Sequence, residues 1–304
     1  MVIDVKYGFA RAYAKLNLTL DVLSRREDGY HDLEMVMQSV SLFDSVAVRI
    51  GCGGDITTLS NVRHIPNDER NIAVKAARAF ASASGIDCGG IYIAMEKRIP
   101  SSAGMAGGSA DGAAVLRLLN ELNGKPFSDK ELCEIGVGVG ADIPFCLLGG
   151  TALAKAKGED LCELSPMPDC FIVIAKPRRG MSTKAVFTEI DSCPIPVHPD
   201  TDAMVRAIEC GDLKGIADSV YNVFEPVVSV EIPEISDIKR ILCENGALCA
   251  AMTGSGSAVF GIFESEASAR AVRNFLFTKY ADSFVVRPIS SEAVRKCEWT
   301  SVDN

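Results

Sequence analysis

The run Pro100, Ser101, Ser102, Ala103, Gly104, Met105, Ala106, Gly107, Gly108, Ser109, Ala110, Asp111 concentrates small and hydroxyl-bearing residues in a pattern suited to holding an anion. Gly104, Gly107 and Gly108 let the main chain approach a ligand closely and turn its N–H groups inward. A β-type segment over 91–97 leads into this loop. A helix leaves it, because Val115, Leu118, Leu119 and Leu122 recur at i, i+3, i+4 and i+7. The free N–H groups and the positive dipole end at that helix start favour a phosphate, so the chain is expected to bind a phosphorylated small molecule. Two common phosphate motifs are excluded. The only Gly-Lys pair, Gly124-Lys125, precedes Pro126, so there is no G-x-x-x-x-G-K-[ST]; and Gly104 precedes Met105 and Ala106, so there is no G-x-G-x-x-G.

Other residue pairs could do chemistry beside such a loop. Lys15 and Asn17 stand two apart on an alternating segment and share one face of a strand. Spacing alone favours a solvated face of a half-exposed sheet there. Asp142, in Gly138-Val-Gly-Ala-Asp-Ile-Pro-Phe145, reads equally as a helix N-cap with proline in the first turn or as a carboxylate held at a rigid helix start to take a proton. Tyr30 and His31 set a phenol beside an imidazole after a turn. Thr253-Gly254-Ser255-Gly256-Ser257 is a second glycine-rich turn, by itself an ordinary hairpin turn, that could add N–H donors to a phosphate site.

The elements that must carry these residues alternate between strand and helix. Residues 7–50 read as strands around a turn at 24–29. A helix is expected from Asn71 to Gly85 and another over 128–137. Strands follow at 151–157 and 171–175. Prolines at 177, 194, 196 and 199 place a boundary between two halves within 150–200, which we set as 1–160 and 161–304. Helical segments at 200–220, 234–244 and 265–279, with strands at 247–251 and 258–263, indicate an α+β architecture rather than a doubly wound sheet. At 304 residues with a net charge of −9, the chain is poorly suited to non-specific nucleic-acid or anionic-membrane binding. The N-terminus lacks the apolar core of a signal peptide and no run approaches a membrane span, so a cytoplasmic enzyme is expected. The eleven cysteines include no C-x-x-C pair, and the three histidines form no H-E-x-x-H. No G-x-S-x-G occurs.

The order of these segments, Ala14-Lys-Leu-Asn-Leu18, Gly29-Tyr-His-Asp-Leu33, the 100–114 loop, Gly140-Ala-Asp-Ile-Pro-Phe145 and Met252–Phe260, resembles the GHMP kinase superfamily. The resemblance spans roughly residues 8 to 290. It implies a two-domain α+β fold, the N-terminal part like the second domain of ribosomal protein S5 and the C-terminal part a ferredoxin-like α/β sandwich. The implied activity is ATP- and Mg²⁺-dependent phosphorylation of a hydroxyl on a small molecule. The Ala-Lys-x-Asn and Gly-Tyr-His-Asp-Leu segments point to a branch whose acceptor carries a cytidylyl group. Catalysis would then fall to Lys15 and Asp142. ATP would meet Pro100–Asp111 together with Gly254, Ser255 and Gly256, with Asn71 and Lys97 near its nucleoside end. The acceptor would meet Asn17, Tyr30, His31 and Thr183, with His31 at the base and Phe187 stacking on it from the other side. No metal-binding residues are assigned, and a monomer or homodimer is expected. Alternatives are a superfamily kinase for homoserine or phosphomevalonate, or a nucleotide-binding protein without catalysis. Met105, Ala106 and Ala110 depart from the usual loop, and Gly112 replaces a usual alanine at a helix cost of about 1 kcal/mol.

Overall fold

The structure, a computed structural model, describes residues 5–301; Met1–Asp4, part of the segment read for a leader, lie outside the described residues. Two twenty-residue strands, β1 (Lys6–Arg25) and β2 (His31–Ile50), form a long hairpin that is the backbone of the molecule. β3 (Ile56–Ser60) follows. α1 (Ile72–Ser84) starts where the Asn71 side chain accepts the Ala73 N–H. β4 (Ile91–Glu96) then feeds α2 (Gly107–Leu122), as the periodicity indicates. α3 (Asp129–Val137) opens on a capping box between Ser128 and Glu131, and α4 (Ile143–Leu148) is a short helix with Pro144 in its first turn. β5 (Thr151–Lys155) and β6 (Asp160–Glu163) complete this part.

The second part runs β7 (Phe171–Ala175), α5 (Thr183–Ser192), α6 (Thr201–Glu209), α7 (Leu213–Ser219), β8 (Tyr221–Asn222), α8 (Glu225–Glu231), α9 (Glu234–Glu244), β9 (Cys249–Met252), β10 (Val259–Phe263), α10 (Glu266–Phe277) and β11 (Ser283–Val286). The single helical stretch expected at 200–220 is two helices, because the Asp212 carboxylate accepts the Gly215 N–H and starts a second one. α11 (Ser291–Arg295) and β12 (Cys297–Ser301) then return to the first part.

One sheet has the order β12-β1-β2-β4-β3, with β5, β6 and β8 attached; the other is antiparallel, β11-β7-β10-β9. β12 and β8 therefore belong to the first sheet, although both lie in the second half of the chain. α1 and α2 pack on the first sheet through Phe80, Leu116 and Leu119 against Val46, Val48 and Ile93. Truncating the fully buried Phe80 to alanine would cost roughly 3–5 kcal/mol. The far half of the hairpin is covered on both faces. Leu16, Leu18 and Val36 meet β7 and β10 through Ile172, Ile174 and Phe260, whereas Leu20, Val22 and Met35 join a separate core with Phe145 and Phe224.

This double coverage corrects the solvated-face reading of Lys15 and Asn17. Both are buried, at 5% and 1% exposure, and every residue from Ala14 to Val22 is buried. Register shifts in the β1–β2 ladder at Tyr13/Lys15 and Asn17/Thr19 bend the strand where these polar side chains sit.

Candidate active site

A cavity of about 1270 Å³ lies where β1, the glycine-rich loop, the 137–142 segment, α5 and the 254–256 turn converge. One end is built for an anion. Gly107, Gly108 and Ser109, the first turn of α2, line it beside Ser102, Gly104 and Ala106. Ala106 occupies the N-cap position without any side-chain cap bond, so the first-turn N–H groups are not taken up by a capping side chain. Its backbone is left-handed, at φ 56°, where a methyl group is strained. Gly254, Ser255 and Gly256 face the same space, and the two glycine-rich turns touch. A Cβ on Gly104 would come within 2.1 Å of the Thr253 carbonyl oxygen, so only glycine permits this approach. Gly112 has a similar reason: a Cβ there would meet Ile72 at 2.9 Å and Ile143 at 3.3 Å. The missing methyl lets α1 and α4 close on α2.

Lys15 and Asp142 are brought together from distant segments. Lys15 Nζ donates to Asn17 Oδ1 at 2.5 Å and lies 4.0 Å from Asp142 Oδ1. The lysine main-chain N–H donates to the Met105 carbonyl, which seats it against the glycine-rich loop. Asp142 stands at the N-cap of α4, yet its carboxylate makes no cap bond; it faces Lys15 with 36% side-chain exposure. Both line the cavity. The far end of α4 is fixed by two guanidinium groups. Arg117 donates to the Leu147 carbonyl at 2.5 Å and the Cys146 carbonyl at 3.4 Å, and Arg295 donates to the Leu148 carbonyl at 3.1 Å. These cations satisfy carbonyls at the negative end of the helix dipole and hold the helix that presents Asp142. Asn17 does not line the cavity. Its oxygen accepts from Lys15, its amide faces the Met35 sulfur at 3.1 Å, and its main-chain N–H donates to Thr253 Oγ1 at 2.9 Å. It supports Lys15 from behind.

The other end of the cavity is aromatic. Tyr30, His31, Phe187 and Phe224 line it. Phe187 stacks on His31 itself, with centroids 4.7 Å apart and planes 23° from parallel, and meets Phe224 edge-on. The two rings touch, so no open slot lies between them. They form one aromatic stack in the cavity wall, and Tyr30 lies nearby with Lys157 Nζ 4.3 Å from its ring centre. His31 Nε2 is 2.6 Å from Asp191 Oδ1, and Arg25 lies 3.4 Å from the same carboxylate. Thr183 Oγ1 and Ser255 Oγ, 3.0 Å apart, tie α5 to the glycine-rich turn.

Several residues expected at the site are engaged elsewhere. Asn71 caps α1, donates to the Pro66 carbonyl and does not line the cavity. The Lys97 side chain is buried between the carboxylates of Asp44 and Asp111, so the side chains of Lys97 and Asp111 are taken up by each other rather than turned to the cavity. Ala103, Met105 and Ala110 point into the core, and Ser101 pairs with His64 at 2.9 Å outside the cavity. Pro100 also lies off the cavity wall. Asp191, Lys184, Lys157 and Glu159 do line it, and no motif in the sequence marks them. An i, i+4 step from Phe187 to Asp191 on one helix face is the available hint for the first of these.

Comparison with known proteins agrees with this architecture. Residues 71–150 match the GHMP kinases N terminal domain and 204–282 match the GHMP kinases C terminal domain. A 4-diphosphocytidyl-2-C-methyl-D-erythritol kinase of Clostridium acetobutylicum is 43% identical over 279 residues, covering 92% of this chain and 99% of that protein. The crystal structure of a 4-(cytidine 5'-diphospho)-2C-methyl-D-erythritol kinase superposes with a TM-score of 0.78 at 30% identity, covering 92% of this chain and 98% of the other. A homoserine kinase from Cytophaga hutchinsonii shares the fold, at a TM-score of 0.74 and 20% identity over 99% and 98% of the two chains. The α+β fold is that of the GHMP kinases. With this extent of identity over nearly the whole length, the chain belongs to the GHMP kinases, and within them to the family of 4-diphosphocytidyl-2-C-methyl-D-erythritol kinases.

Proposed function

We propose that this kinase transfers the γ-phosphoryl group of ATP to a hydroxyl of 4-diphosphocytidyl-2-C-methyl-D-erythritol, giving the 2-phosphate, in isoprenoid precursor synthesis. The observation that carries the reading is the Lys15–Asp142 pair, set in one cavity with an N–H-rich helix start and an aromatic wall. Phosphoryl transfer asks mainly for positioning and for offsetting charge. Gly107, Gly108, Ser109 and the 254–256 turn hold the phosphates, and Lys15 offsets charge on the transferred group. Asp142 takes the acceptor proton as the new O–P bond forms and the bond to the leaving ADP breaks. The base lies against the His31–Phe187 wall with Tyr30 beside it, and Thr183 stands between this region and the phosphate turn.

Mg²⁺ would accompany the nucleotide and neutralise charge on its phosphates. The residues present fit an ion carried mainly by those phosphates: among the described residues no three His, Cys, Asp or Glu side chains group together, and Ser109 is the hydroxyl that faces the anion end. No helix among the described residues is long and apolar enough to cross a membrane. The eleven cysteines are all free thiols, in keeping with a reducing cytoplasm.

ADP release with Mg-ATP and, separately, the cytidylyl compound, homoserine, mevalonate and phosphomevalonate tests the proposal. Turnover with the cytidylyl compound alone is expected. Turnover with another acceptor instead would reassign the aromatic wall.

A further inference from the structure

The ion cluster beneath the glycine-rich loop has a geometry that a simple stabilising role does not require. Lys97 follows directly on β4. Its ammonium donates to Asp44 of β2, to Asp111 of α2 and, at 3.2 Å, to the carbonyl of Gly107, the first residue of α2. Asp44 Oδ1 in turn accepts the main-chain N–H groups of Arg98 and of Ile99, the latter at 2.8 Å. The phosphate loop therefore leaves from two residues bound to Asp44 and ends at one bound to Lys97. All three side chains are nearly inaccessible, at 0% for Asp44, 5% for Asp111 and 6% for Lys97.

We infer that Lys97 and Asp44 clasp the two ends of the glycine-rich loop and so set the affinity for ATP without touching it, whereas Asp111 is a replaceable member of the cluster. The inference rests on the loop being the ATP phosphate site. A loop with both ends fixed keeps its N–H groups in register before the ligand arrives, and less ordering cost falls on binding. The two carboxylates differ in what they hold. Asp44 uses both oxygens, and one of them anchors main chain. Asp111 uses Oδ2 alone, and its Oδ1 is buried without a hydrogen-bond partner among the described residues. One ammonium cannot neutralise two buried carboxylates, so an amide at 111 keeps an acceptor for Lys97 and removes the surplus charge. Burial pushes the Asp111 carboxyl up to about 7 against the pull of Lys97, which agrees with its being the member least suited to carry charge.

The test is the dissociation constant of Mg-ATP, measured by calorimetry on the full chain without acceptor, beside the KM of the cytidylyl acceptor. Lys97→Met should weaken ATP by about tenfold or more and leave the acceptor KM within about twofold. Asp44→Ala should follow it, and Asp111→Asn should keep ATP affinity within about twofold of wild type. Should Lys97→Met fail to fold, Lys97→Arg serves, with hydrogen exchange as the readout: faster exchange confined to residues 98–106 supports the clasp. A folded Lys97→Met that binds ATP normally, equal weakening of both substrates, equal damage from Asp111→Asn and Asp44→Ala, or unchanged exchange over 98–106 in Lys97→Arg would each overturn it. A wild-type chain that binds ATP but phosphorylates none of the acceptors would overturn the acceptor assignment and leave the comparison of ATP affinities standing.

Discussion

The molecule buries two lysines beside the same loop, and their surroundings are opposite. Lys97 is saturated: two carboxylates and a carbonyl take its three N–H bonds, and no face of it reaches the cavity. Lys15 has one close side-chain partner, the neutral Asn17, while Asp142 stays 4.0 Å away and keeps a third of its surface open. A charge surrounded by fixed partners strengthens the frame. A charge left partly unmatched at a cavity wall can respond to charge that arrives with a ligand. The sequence puts Lys97 beside the glycine-rich loop and Lys15 far from it; the division of labour comes from which carboxylates the fold brings to each.

The largest test of this contrast is chemical. Asp142→Asn and Lys15→Met should each lower turnover by roughly a thousandfold or more, with thermal unfolding near that of wild type and ATP still bound by Asp142→Asn. An Asp142→Asn enzyme with near-normal single-turnover rates would remove the base from the mechanism. Lys97→Met should show the reverse weighting, with a stability loss of about 3–5 kcal/mol in denaturant titration, because it leaves two buried carboxylates without their cation. At the aromatic wall, His31→Ala should raise the KM of the cytidylyl acceptor by about tenfold and leave that of ATP unchanged. Equal weakening of both would take His31 out of the acceptor site.

A smaller effect concerns pH. Folded, Asp111 keeps its proton up to about pH 7; unfolded, an aspartate releases it near 3.9. Between those values the folded chain binds the extra proton, so this group's contribution to stability declines as pH rises. The Tm of Asp111→Asn relative to wild type should therefore climb by a few degrees between pH 5 and pH 8. A flat difference across that range would mean that Asp111 is ionised throughout. Smallest of all, Ala106→Gly should stabilise the chain by up to about 1 kcal/mol, since glycine suits the left-handed N-cap of α2. A loss of stability in calorimetry would show that the Ala106 methyl packs usefully.

Local patterns carry much of this architecture. The strand–loop–helix unit, the helix beginning at Asn71 and the turn between β1 and β2 all follow from short-range spacing and appear where expected. Long-range contacts are less legible. Lys15 and Asn17 have the spacing of a wet strand face because alternation says nothing about a second sheet packing on the polar side. Lys97 and Asp111 sit at the margins of the loop motif and read as part of it, yet Asp44, more than fifty positions before Lys97, claims the lysine. Asp191 shows in the sequence only as an i, i+4 neighbour of Phe187, because its meaning depends on α5 folding back to His31, a contact across 160 positions.

The pairing of Lys6–Ala10 with Cys297–Ser301 has a consequence in time. Synthesis delivers β1 nearly three hundred residues before its outer neighbour β12. Until then β1 presents an open row of donors and acceptors along this edge, the kind of template onto which stray strands add. The first sheet can be finished only once residue 301 has been made, however early the glycine-rich loop and its helices have formed. A nascent chain stalled short of residue 297 would hold a packed first sheet with one edge of β1 still open to pairing.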